Sequence, residues 1–313
     1  MFDPKYQSSS VLLYDPQASL RHNTRTALLA IGFGEVEAVN YRKEFLDRLS
    51  TESYDLVIGD MVTREGNLNS LVRQMRHNDI GSNPFVNIII TLWNASPEYV
   101  NEGIRAGADD LISRPMSASQ IAERVQGLVD NRKPFIVTED YMGPERRQIV
   151  RGLSQSSLMI VPNSLKAKVE NRPELDATPE NITLALNAVN DRKITIFTEQ
   201  YLRQSAKILS LGPNMEDVEE RHLLVAQMIK MNTELIRRIS GTEYAHTEAL
   251  CDAFLGVLER ILGSSEAILG KDKELLYQIP FGIHKACKEV RVSANLAFDI
   301  EEVALRLKKT GTR

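Results

Sequence analysis

Between Ser10 and Asp130 the sequence switches between two periods, and it does so five times. Val11–Tyr14, Val36–Val39, Asp55–Gly59, Val86–Thr91 and Asp110–Ser113 are short, rich in Val, Ile and Leu, and bounded by polar or Gly residues, which predicts strands. Ser19–Ile31, Arg42–Leu49, Leu68–His77, Glu98–Ala106 and Ser117–Asn131 place apolar residues three and four apart, as in helices lying on a sheet. Strands that alternate with helices are joined by crossovers and run parallel. The near-continuous apolar run Val86–Ile90 suits a central strand covered on both faces. The expected fold is α/β, a five-stranded doubly wound parallel sheet.

The alternation stops near Asn131. Pro134, Gly143-Pro144, Pro162 and Pro173 then interrupt any regular period, so residues 134–177 read as an extended linker. Its apolar pieces, Pro134–Val137 and Leu158–Val161, are short extended segments able to lie against a domain. From Thr178 onward the pattern is helical. Thr178 can cap a helix whose first residue is Pro179, with Ile182, Leu186, Val189, Ile196, Phe197 and Tyr201 following. Gly212-Pro213-Asn214 announces a second helix, with Glu216 and Asp217 where the helix dipole favours acids and a stripe of Leu224, Met228, Met231, Leu235 and Ile239. A third carries Leu250, Phe254, Val257, Leu258 and Ile261, and two more run over Leu275–Val290 and Ala294–Lys309, set off by Pro280 and Ser293. The domains expected are therefore 1–133, α/β; 134–177, linker; and 178–313, an all-α helical bundle.

Composition narrows the function classes. With 42% apolar and 26% charged residues over 313 positions, the chain can bury two cores and is neither disordered nor disulfide-stapled. Apolar runs such as Phe85–Leu92 are far too short to cross a bilayer, and Met1–Ser10 lacks the charged start and apolar stretch of a signal peptide, so a cytoplasmic protein with no membrane partner is expected. Cys251 and Cys287, far apart in helical sequence, read as buried reduced thiols. Thirty-eight basic residues against 42 acidic ones, and 24 against 25 within 134–313, argue against a nucleic-acid partner.

In an open parallel sheet, ligands bind beyond the carboxyl ends of the strands. There the predicted strands deliver Tyr14, Asp15 and Pro16, then Asp60, Thr91, and Arg114 with Pro115. Two carboxylates, a hydroxyl and a cation suit phosphoryl chemistry, in which an acid attacks and the hydroxyl and cation hold phosphoryl oxygens.

The segments Val11-Leu-Leu-Tyr-Asp15, Tyr54-Asp-Leu-Val-Ile-Gly-Asp60, Ile88-Ile-Ile-Thr91 and Ala106-Gly-Ala-Asp-Asp-Leu-Ile-Ser-Arg-Pro115 together resemble the receiver domain of two-component response regulators, over about the first 133 residues. That resemblance implies that Asp60 is the aspartate phosphorylated by a histidine kinase or phosphotransfer protein and that Thr91 is the switch hydroxyl. It also implies that Asp15, Asp60 and the Val62 carbonyl hold Mg2+. Three departures accompany it. Pro16 stands where the family usually has its second acid, which weakens the metal site. Arg114 replaces the usual lysine, exchanging a compact ammonium for a planar fork. Leu111 stands in place of the switch aromatic, and the loop after Asp60 lacks the usual Pro and displaced Gly. Two readings follow: a response regulator phosphorylated on Asp60 that relays to the helical domain, or a phosphorylation-independent docking module on the same fold.

In the helical half, neither His246-Thr-Glu-Ala nor His284-Lys-Ala-Cys has the surroundings of a phosphotransfer histidine, and Met215, Met228 and Met231 read as core. Gly263–Lys271 lacks phosphate-loop spacing, and Arg146, Arg147 and Arg151 read as a solvated basic cluster. Trp93 reads as packing, although an exposed indole there would mark a partner surface. No acid pair, triad or metal constellation appears, so the expected output is not enzymatic: the bundle binds an unidentified output protein, or itself as a homodimer.

Overall fold

The computed structural model describes residues 3–146, 158–264 and 267–310, with backbone alone over 294–310. The chain forms two compact units, residues 1–187 and 188–313.

The first unit holds the five parallel strands β1 (Ser10–Tyr14), β2 (Glu35–Val39), β3 (Leu56–Asp60), β4 (Asn87–Leu92) and β5 (Asp110–Ser113), in the order β2-β1-β3-β4-β5. Between and after them run α1 (Ala18–Ile31), α2 (Arg42–Thr51), α3 (Leu68–Arg76), α4 (Pro97–Ala106) and α5 (Ala118–Asp130). A two-residue hairpin, Val62–Thr63 with Gly66–Asn67, intervenes after β3. Strand side chains alternate between faces. Leu12, Tyr14, Val57, Ile88 and Ile90 therefore join Phe45, Leu71 and Val72 in one core, while Val11, Leu13, Ile58 and Ile89 join Leu28, Ile121 and Val125 in the other. Because β2 lies on one side of β1 and β3 on the other, the crossovers diverge at the carboxyl ends of β1 and β3 and leave an opening there.

Of residues 134–177, read above as an extended linker, the described stretches 134–146 and 158–177 are folded onto this unit. They form a hairpin of β6 (Phe135–Val137) and β7 (Met142–Pro144), a short helix α6 (Ser164–Val169) and a 3-10 turn at Pro173–Leu175. The cause is a buried charge near the start of β5. Asp109 accepts from Arg76 Nη2 at 2.7 Å, from Arg132 Nε at 2.8 Å and from the Ile88 amide at 2.8 Å. Each guanidinium carbon lies 5.0 Å from the centre of the Phe135 ring, which fixes the hairpin. Gly107 admits it, at φ +98° with Met142 O only 2.9 Å from where a Cβ would stand. Farther on, Asn163 caps α6 and ties it to Asn87 Nδ2 and Leu128 O, and Lys168 pairs with Asp55 at 2.8 Å.

The second unit is helical, built from the later part of α7 (Pro179–Ser210) with α8 (Met215–Ile239), α9 (Glu248–Leu262) and α10 (Gly270–Thr310). Asn214 caps α8 by accepting from the Asp217 amide, as its Gly-Pro-Asn signal predicts. Where two final helices were expected, one continuous helix runs through Pro280 and Ser293. Ile283 and Cys287 anchor that stretch in the core, and this packing outweighs the local breaks. Met228 and Met231 are core residues, but Met215, at the first turn of α8, is exposed. Cys251 and Cys287 are free and buried, and burial pushes the Cys251 thiol up to about 12, so it stays protonated and unreactive. Among the described residues no helix is long and apolar enough to cross a membrane.

Candidate functional site

The structure gathers Asp15, Asp60, Thr91 and Arg114 into one cluster at the carboxyl rim of the sheet. Asp60 and Thr91 are partners in the β3-β4 register, and Arg114 follows β5 directly. Thr91 Oγ1 donates to Asp60 Oδ1 at 3.3 Å and accepts from Arg114 Nε at 3.1 Å. Arg114 Nη2 donates to Asp15 Oδ2 at 2.6 Å, and its Nε stands 3.7 Å from Asp60 Oδ1. The other oxygen of Asp15 accepts from the Gln17 amide at 2.8 Å. The Arg114–Pro115 peptide is cis.

A ligand site beyond the strand ends would be expected to open to water, but the cluster is buried: Asp15 and Thr91 are 0% exposed and Asp60 2%. The guanidinium lies between the carboxylates, and Trp93 stands 5.8 Å from it with its indole 54% exposed. Trp93 thus covers a cation rather than packing into the core. Sequence reasoning also missed Arg21, which donates to the Asp15 carbonyl at 2.8 Å. A basic residue in the first turn of a helix, where the dipole disfavours it, was the available signal.

Val62 lies in the two-residue hairpin, paired with Asn67, its side chain exposed. Leu111, half-buried, packs against the core and fills the space beside Gly103 rather than facing the cluster. Of the basic residues singled out in the linker, Arg146 donates to the Asp109 carbonyl at 2.5 Å, while Arg147 and Arg151 lie outside the described residues. In the second unit, the His284 ring contacts Thr198 Oγ1 at 3.2 Å and His246 contacts the Glu243 carbonyl at 3.1 Å.

Magnesium requires roughly octahedral oxygen ligands at about 2.0–2.1 Å. Both oxygens of Asp15 are already engaged, Pro16 contributes no carboxylate, and a guanidinium fills the gap to Asp60. Among the described residues no group of three His, Cys, Asp or Glu could hold a metal ion. The donor set does not fit a resident Mg2+, and the positive charge that the carboxylates need comes from Arg114.

Burial pushes the Asp60 carboxyl above the ordinary aspartate range, with Asp15 adding to the rise, while Arg114 and Thr91 pull it back only in part. An acid whose folded pKa is raised destabilises the fold above that pKa, and the penalty disappears as pH falls below the unfolded value near 4. Asp60→Asn is therefore expected to raise the thermal midpoint at pH 7, with the gain shrinking toward pH 4. A gain that stayed constant across that range would rule out this origin.

The family described as response regulator receiver domain matches residues 11–126. The chain is 25% identical over 219 residues to the two-component response regulator PhoP of Pseudomonas aeruginosa, covering 70% of this chain and 85% of the relative. It is 24% identical over 159 residues to the response regulator MprA of Mycobacterium tuberculosis, covering 48% of this chain and 67% of the relative. Among solved structures, the chemotaxis protein CheY4 of Vibrio cholerae aligns with 24% identity and a TM-score of 0.35, over 38% of this chain and 96% of that one.

Proposed function

Since residues 11–126 belong to the response regulator receiver family of two-component signalling, we propose that this receiver is a protein-docking module whose acidic pocket is closed from within by Arg114, and that it signals without Mg2+ and without a phosphoryl group. One observation supports this reading above the others. The Arg114 guanidinium bonds Asp15 at 2.6 Å and Thr91 at 3.1 Å and approaches Asp60 to 3.7 Å, so it fills the space where a metal and a phosphoryl oxygen would have to enter. A buried arginine paired with carboxylates is costly to displace, since one partner's departure leaves the other charge uncompensated. The exposed indole of Trp93 at the same rim offers a contact surface to a partner protein.

The second reading is phosphorylation of Asp60 by a histidine kinase or phosphotransfer protein, with relay to the helical unit and an output protein. It is favoured by the hydrogen bond from Thr91 to Asp60, which places a hydroxyl where it could follow a new phosphoryl group.

Incubation with acetyl phosphate and Mg2+ followed by intact-mass measurement separates the two. The docking reading expects no gain of about 80 Da, the mass of one phosphoryl group. A gain in the unmodified chain that is absent from Asp60→Asn would overturn it in favour of phosphoacceptance.

A further inference from the structure

At the amino ends of β3 and β4, away from Asp60, the first unit is indented by a half-open cavity of about 400 Å³ where the end of α5 meets the segments on either side of α6. That volume lies within the range of about 300–1,000 Å³ typical of small-ligand sites. Val129, Pro134, Val161 and Leu175 supply apolar wall. Ile160 also lines the cavity while 91% exposed, an aliphatic side chain left in water at the mouth of a hollow.

The inner wall is fixed. Arg132 is committed to Asp109 and to the carbonyls of Phe85 and Pro162, and Asn163 to Asn87 and Leu128. The remaining cations are not held this way. Lys133 is exposed and makes no ion pair among the described residues. Lys166 and Arg172 share Glu170 at 3.5 and 3.8 Å, and Arg172 also meets Glu174 at 2.9 Å, in solvated pairs that exchange readily. Against these three cations the lining presents one acid, Asp130.

An apolar hollow with a cationic mouth selects a molecule with both characters. We propose that this cavity binds a small amphiphilic anion, its apolar body against Val161, Leu175 and Ile160 and its carboxylate or phosphate on Lys133 and Arg172. The site is separate from the Asp15, Asp60 and Arg114 cluster and does not depend on how that cluster functions.

The probe is 8-anilinonaphthalene-1-sulfonate, an anionic amphiphile that fluoresces when desolvated, titrated into the full chain. One saturable site is expected, displaced by decanoate but not by decanol or inorganic phosphate at the same concentrations. Lys133→Glu with Arg172→Glu should weaken binding at least tenfold. So should Ile160→Asp, which alters an exposed position and leaves the fold intact. Phe281→Ser, which removes an exposed aromatic of α10, should change nothing. Binding that fails to saturate, that survives both cavity variants, that is lost with Phe281→Ser, or that decanol displaces as well as decanoate would overturn the proposal.

Discussion

Asp109→Ala is expected to destabilise the first unit by about 3–5 kcal/mol, the cost of leaving buried charge unpaired. Asp109 is the single carboxylate between two arginines, and Arg76 is only 1% exposed. Burial pushes the Arg76 guanidinium down to about 10, against the pull of Asp109, so losing that carboxylate strands a cation with nowhere to go. Burial alone would raise the Asp109 carboxyl, but Arg132 and Arg76 outweigh it and hold the group below the usual aspartate range. Its contribution is therefore present above pH 4 and lost as pH falls through the lowered folded value. Urea unfolding of the full chain measures the change, and the solvated pair Arg203 with Glu199 serves as control, where Glu199→Ala should cost no more than about 1 kcal/mol. The amides of Phe135 and Met159, which bond across to each other's carbonyls, should lose exchange protection in Asp109→Ala. A loss of under 1 kcal/mol with the hairpin still protected would mean that the triad does not hold these residues in place.

Arg114→Lys is expected to produce the largest functional change. A lysine ammonium is a compact point charge without the planar fork, and cannot reproduce the fixed spacing by which Nε and Nη2 reach Thr91 and Asp15. The compact ammonium leaves part of the gap between Asp15 and Asp60 unfilled, so Mg2+ affinity should rise at least tenfold and acetyl phosphate should add one phosphoryl mass that the unmodified chain does not take. Trp93, the chain's one tryptophan, lies 5.8 Å from the group being replaced and reports the titration through its fluorescence. Arg114→Ala goes further and leaves Asp15 and Asp60 buried together, so it should cost about 3–5 kcal/mol at pH 7. Part of that loss should return as pH falls and Asp60 takes up a proton. If Arg114→Lys titrates with Mg2+ as the unmodified chain does, the guanidinium is not what excludes the metal.

The sheet was legible because its signals are local. Each strand announced itself by a run such as Ile88–Ile90, each crossover by a helical stripe, and the observed ends differ from the expected ones by a residue or two. The cluster at the rim was legible for the same reason, since Asp15, Asp60, Thr91 and Arg114 each end or follow a strand. Their state was not. That Arg114 turns inward to bond Asp15, 99 positions earlier, is a matter of side-chain reach that no spacing encodes. The linker failed in a parallel way. Pro134 and Gly143 were rightly read as breaks in local period, but what orders the stretch is Arg76 and Arg132 around Phe135, a contact between distant positions. Pro280 misled in the opposite sense, because packing of Ile283 and Cys287 outweighs one missing amide hydrogen bond.

The family match stops at residue 126, yet the physical unit does not. A fragment excised at Asp130 would keep Asp109 and Arg76 but lose Arg132, expose the face that Phe135 and Leu165 shield, and leave the amide of Asn87 without Asn163. Such a fragment should express poorly, unfold early and give false negatives in any binding assay. Extending the boundary past Leu175 restores every one of those partners, and this longer piece is the one to carry into crystallisation or two-hybrid screening.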